Sequence, residues 1–139
     1  MKNAFIEKYN LNDWLLLLLR VSLALLMITH GYPKFEKLLS GAEIKFYNFL
    51  YLGPKISFML CIIGEFFAPI LVIVGYQTRL AASVSAFTML VAAFGAHIND
   101  PLADKEHSLL FAIGFIYIFI AGAGKYSLSQ LIYKKTDSK

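Results

Sequence analysis

Two ionisable residues, Arg20 and Glu65, sit inside long apolar runs of the sequence, and His30, Lys34, His97, Asp100 and Glu106 lie where such runs end. A charge at the centre of a membrane-crossing helix costs about 3 kcal/mol on insertion scales, so each such position holds either a structural ion pair or chemistry. If their runs are antiparallel helices, Arg20 and Glu65 fall at similar depth, which predicts that they pair or share a water-filled pocket. The structural reading of such a pair is a staple that fixes the register of the two helices. On the first run Arg20, Met27, His30 and Lys34 fall within an arc of about 80° at 100° per residue, a stripe that must face other helices. His97, Asp100, Glu106 and His107 come to the same end of a bundle as His30 and Lys34. Histidine, lysine and carboxylate groups gathered there could hydrogen-bond quinone carbonyls and relay protons during reduction. His30 and His97, on neighbouring helices, could alternatively ligate a haem. No compact metal-binding motif such as His-Glu-x-x-His occurs, so no dedicated metal site is expected. The structural alternative is a capped helix end with its histidines at the interface. Cys61 is the only cysteine; it permits neither an intrachain disulfide nor a dithiol motif, and reads as a small hydrophobe within a helix.

The elements that must position these residues are membrane helices. Hydrophobic residues make up 58% of the 139 and charged residues only 16%, more apolar surface than a soluble domain of this length can hide. Four stretches, at about residues 14–32, 56–76, 80–98 and 108–124, approach the roughly 20 residues that cross the hydrocarbon core. Lipid cannot satisfy the backbone of an isolated strand, so the expectation is an all-α bundle of four transmembrane helices in a single domain, residues 1–139. Spans two and three are joined only by Gln77, Thr78 and Arg79, a tight hairpin. Between spans one and two, Ser40 and Glu43 have capping-box spacing ahead of Ile44, Phe46, Tyr47, Leu50 and Tyr51; this predicts a short amphipathic interfacial helix, with an ordered loop as the alternative. The first run is too long, and too interrupted by Arg20, for a cleaved signal peptide.

Four spans put both termini on one side. Lys2, Lys8, Arg79, Lys125, Lys134, Lys135 and Lys139 lie there, against Lys34, Lys37, Lys45, Lys55 and Lys105 on the other. The positive-inside rule then places both termini in the cytoplasm. Residues 134–139 read as a flexible tail. The net charge of +4 is scattered, with no basic stripe interleaved with aromatics, so nucleic acid is not an expected partner. Ser83, Ser85, Ala86, Thr88, Ala92, Ala93 and Gly95 make the third span small-sided, which suits close helix packing. Pro69 predicts a kink just past Glu65, with a carbonyl freed beside that carboxylate.

Leu19-Arg20, His30-Gly31 and Lys34-Phe35, then Glu65, Gly75 and Thr78-Arg79-Leu80-Ala81, then His97, Glu106 and the ending Ala121-Gly122-Ala123-Gly124-Lys125-Tyr126-Ser127-Leu128 together resemble the DoxX family across nearly the whole chain. Ala24, Ala68-Pro69 and Ser129 depart from that pattern, standing where glycines, a glycine pair and an aspartate are common. The resemblance implies a four-helix membrane protein of the inner (cytoplasmic) membrane. Some relatives are subunits of quinone-linked sulfur oxidoreductases, and others belong to membrane redox complexes that handle oxidative stress. The expected function is therefore a redox-complex subunit, not a complete enzyme, that binds a quinone near the non-cytoplasmic face and works with a membrane protein partner or a second copy. The alternatives are a non-catalytic scaffold or assembly partner and, third, a small transporter gated by Glu65.

Overall fold

The computed structural model describes residues 2–137, with side chains described for residues 12–136. Its elements are all helical. Helix α1 (Lys2–Leu39) holds Pro33 within it. Helix α2 (Pro54–Val74) follows a 3-10 turn at Phe49–Tyr51, then come α3 (Thr78–Ala96), α4 (Leu102–Ala121) and α5 (Leu128–Asp137). The expected tail from Lys134 begins inside α5, and Ser138 and Lys139 lie outside the described residues, as do the side chains of Lys2 and Lys8.

Three segments, Asn12–Leu39, Pro54–Val74 and Thr78–Ala96, are long and apolar enough to cross a membrane. Helix α4 differs because Asp104, Lys105 and Glu106 occupy its first turns. Its apolar part, residues 108–121, spans only about 21 Å at 1.5 Å per residue, against roughly 30 Å of hydrocarbon.

The amphipathic helix expected after Ser40 does not form. Helix α1 runs through Pro33 to Leu39, and the Ser40 hydroxyl donates back to the Lys37 carbonyl at 2.8 Å instead of capping a new helix. Gly41, at φ +69°, turns the chain away. Residues 42–48 then cross the end of the bundle as an irregular strap. Its aromatic residues are drawn to the bundle, with Phe46 against Phe58 and Phe49 against Phe87 at ring separations of 5.1 and 6.1 Å.

Helix α2 starts with Pro54, whose missing N–H costs nothing at a first turn, and ends on left-handed Gly75, whose N–H bonds the Leu71 carbonyl at 2.9 Å. Its middle, Ile63–Phe67, is π-helical, and the Ala68 N–H reaches back five residues to the Ile63 carbonyl. Pro69 explains the location: it has no N–H for the Glu65 carbonyl and its ring crowds that oxygen, so the helix widens by one residue just before it. Neighbouring helices approach this widened turn closely. A Cβ on Gly31 of α1 would strike the Glu65 carbonyl, and one on Gly64 would strike Thr88 of α3. The Ser85 hydroxyl donates to the Gly64 carbonyl at 2.8 Å. A second π-helical segment, Ala92–Ala96, ends α3, with the His97 N–H on the Ala92 carbonyl at 3.0 Å.

As expected, α3 offers a small-residue face. Ala81, Ala82, Ser85, Ala86 and Ala93 are buried, and α4 lies along α3 with Phe115 and Ile118 fully enclosed. Leu15, Leu18, Leu25, Leu26, Phe94, Ile113 and Ile120 point outward, a surface that water would not tolerate and lipid does. At the end away from the strap, Arg20 donates to the carbonyls of Ala123 (2.6 Å) and Tyr126 (2.7 Å). The Ser129 N–H and hydroxyl both reach the Gly75 carbonyl, at 3.2 and 3.0 Å, and so fasten α5 to the end of α2.

Candidate functional site

On α2, Ser57, Cys61 and Glu65 follow one another at four-residue intervals on one buried face. Glu65 is only 3% exposed. Its Oε2 meets the Lys34 ammonium of α1 at 2.5 Å, and its Oε1 accepts the Cys61 thiol at 3.1 Å. Lys34 also lies 3.4 Å from the Cys61 sulfur, which closes a triangle of ammonium, carboxylate and thiol.

This triangle lines a cavity of about 230 Å³ between α1, α2 and α3. Leu60, Ile63, Val84, Phe87 and Val91 make its walls apolar, and Phe46 and Tyr47 of the strap line it together with Phe49 of the turn that follows. The strap is pinned at its far side. The Phe49 N–H donates to the Ser57 hydroxyl at 3.0 Å, that hydroxyl donates to the Gly53 carbonyl at 2.8 Å, and the Gly53 N–H donates to the Asn48 side-chain oxygen at 2.8 Å. A Cβ on Gly95 would lie 3.1 Å from the Tyr47 hydroxyl, so the strap rests directly on the second π-helical turn. Leu50 and Tyr51 hold left-handed φ of 49° and 60°, a conformation costing roughly 1–2 kcal/mol each in non-glycine residues.

His97 also lines the cavity, and its Nδ1 pairs with Asp100 Oδ2 at 2.6 Å. The site thus offers a cationic donor, a second donor or acceptor in the imidazole, and a carboxylate that already accepts from a thiol. All are set in apolar walls, where each polar contact counts for more than in water.

Three sequence-derived candidates, Lys34, Glu65 and His97, share this cavity, and Asp100 joins through His97. The expected Arg20–Glu65 pair does not form. Arg20 lies about 21 Å from Lys34 along α1, at the other end of the bundle, and is spent on backbone carbonyls. The expectation ended the first helix at Tyr32; with α1 continuing to Leu39, Lys34 becomes a residue within the helix, level with Glu65. His30 turns to the α4 side, where its ring lies 5.1 Å from that of His107 and 5.8 Å from that of Phe111. It does not line the cavity, so His30 and His97 do not flank a common space for a haem. Glu106 is exposed on the first turns of α4 and also lies outside the cavity. Among the described residues no three His, Cys, Asp or Glu side chains group as a metal site. Cys61 and the strap aromatics were missed as site residues; the four-residue spacing of Ser57, Cys61 and Glu65 was the available signal.

The family model named DoxX matches residues 15–98, which include every residue that lines the cavity. An uncharacterized protein of Haemophilus influenzae is 30% identical, across 94% of this chain and 98% of its own length. The inner membrane protein YqjF of Escherichia coli (strain K12) is likewise 30% identical, across 90% of this chain and 97% of its own length. No solved structure matches the chain. With helices that suit a bilayer and a family match over most of its length, the chain is an integral membrane protein of the DoxX family.

Proposed function

We propose that this protein is a multi-pass inner-membrane subunit of a redox complex and that its cavity receives the head group of a quinone or a similar single-ring ligand. One observation carries the reading: a mostly apolar chamber lined by strap aromatics, into which the Lys34–Glu65–Cys61 triangle and His97 both bring polar groups. At about 230 Å³ it lies below the roughly 300–1,000 Å³ of sites for larger ligands, which favours one ring over a nucleotide cofactor. Lys34 donates to one carbonyl oxygen and His97 to the other; the partner subunits of the redox complex supply the two electrons of reduction to the quinol, and Glu65 passes on one of the two protons taken up from water. Asp100 orients His97; His30 and Glu106 lie beyond the chamber and act on the approach to it. Helix α4 serves as the fourth span, its charged first turns in the head-group region, which leaves both termini on the cytoplasmic side. The inner-membrane assignment follows the similarity to the Escherichia coli inner membrane protein YqjF.

The test is a titration of the purified protein in nanodiscs with short-tailed ubiquinone and menaquinone analogues, followed by calorimetry. Lys34→Met and His97→Ala each weaken binding by about tenfold, the worth of one hydrogen bond to a charged or polarised group. Arg20→Leu leaves binding unchanged. Wild-type affinity in a Lys34→Met/His97→Ala double variant would sink the proposal and favour the scaffold reading.

A further inference from the structure

Helix α5 carries a face that nothing in the bundle covers. Leu128, Leu131 and Ile132, spaced i, i+3 and i+4, share an arc of about 100°, and Leu131 and Ile132 are 66% and 48% exposed. The helix is nevertheless held in place. Ser129 fastens its start to the Gly75 carbonyl, and Arg20 clamps the preceding turn through Ala123 and Tyr126. The Tyr126 ring packs tilted against Trp14 at 4.6 Å, the kind of amphipathic aromatic pair that settles at a membrane–water boundary. Arg79 and Lys125 edge the open depression beside this turn, and Lys134 lies further along α5.

We propose that α5 is a surface helix that docks onto an anionic lipid leaflet, on the side of the membrane where the chain ends. Leu128, Leu131 and Ile132 sink into the acyl boundary, while Arg79, Lys125 and Lys134 engage lipid phosphates. Two observations select lipid as the occupant. The uncovered face follows a turn packed on Trp14 and Leu16, the end of α1 where Leu15 and Leu18 also point outward. The helix is also too small for a protein: ten residues, about 15 Å, with three apolar side chains fall well short of the roughly 1,000 Å² expected of a stable protein interface.

Hydrogen exchange of the full-length protein decides the matter, in nanodiscs of phosphatidylcholine alone or with one third phosphatidylglycerol. Residues 128–137 are expected to exchange roughly tenfold more slowly in the anionic discs, as one to two lysine–phosphate attractions require. Lys125→Glu/Lys134→Glu removes the difference between lipids, and Leu131→Ser/Ile132→Ser removes protection in both, while α2 and α3 exchange as in the wild type. Equal exchange of the wild-type helix in the two lipids overturns the proposal without recourse to any variant. So does protection that follows the number of protein copies per disc instead of lipid charge, which identifies a second chain as the occupant.

Discussion

Replacing Lys34 by Met tests the centre of the site most directly. The substitution keeps the length of the side chain and removes the ammonium from Glu65, a carboxylate that is 3% exposed. Breaking a buried ion pair from one side costs about 3–5 kcal/mol, since the remaining charge is stranded. Two features pull this case to the lower end. The Lys34 side chain is 31% exposed, so part of its charge is already solvated, and Glu65 keeps the thiol hydrogen bond from Cys61 at 3.1 Å. The expected loss is therefore about 3 kcal/mol. Glu65→Gln alone strands the lysine, which can reach toward the head-group region, and costs about 1–2 kcal/mol. In the double variant no charge is stranded, and the loss should be about 1–2 kcal/mol, less than that of Lys34→Met alone. Reversible unfolding in mixed micelles of detergent and SDS measures all four corners of this cycle, and the coupling is their departure from additivity. Additive losses within about 0.5 kcal/mol would refute the claim that Lys34 and Glu65 stabilise the fold as a pair.

Gly31→Ala places a methyl group against the Glu65 carbonyl, so α1 and α2 must separate; a loss of about 1–3 kcal/mol is expected in the same assay, and a neutral result excludes the close approach. Arg20→Leu strands the carbonyls of Ala123 and Tyr126 and should cost about 2–3 kcal/mol, with faster hydrogen exchange confined to residues 122–129. Pro69→Ala supplies the missing N–H; the π-helical turn is expected to relax toward α-helix, and binding of the quinone analogues to weaken by about tenfold as Glu65 rotates away from Lys34. Unchanged binding in that variant removes the π-helical turn from the account of the site.

The sequence made some of this plain and hid the rest for physical reasons. Apolar runs broken by Gly75 and the Asn99-Asp100-Pro101 turn mark the helices, because lipid leaves the backbone no other choice. Charges in apolar surroundings marked Lys34, Glu65 and His97 as site residues. Their pairing was not legible, because it depends on how far α1 continues past Pro33, and one proline inside a helix removes a single hydrogen bond without ending it. The Ser40–Glu43 capping pattern misled for a similar reason: Ser40 closes α1, and the aromatic residues behind it gain more by covering the cavity than by lining up on an interfacial helix. Cys61 was read by its type as inert, when its spacing from Glu65 held the information. Ser129, legible in the sequence only as a departure from the family pattern, joins α5 to α2.

The widened turn at Ile63–Phe67 works as a change of phase along one helix. An uninterrupted α-helix turns a fixed 100° per residue, so the faces of its two halves are locked together. One extra residue in a turn unlocks them. The outer half of α2 can aim Ser57, Cys61 and Glu65 into the chamber, while the inner half independently aims Ala68 and Val72 into the packed core. Deleting one residue between Ile63 and Phe67 would absorb the widened turn and keep the two halves in phase, whereas regularising the turn with every residue kept should leave a helix of equal hydropathy that still crosses the membrane, but with its polar half turned by about 100° against its structural half. Such a protein would insert normally and lose either its chamber or its core.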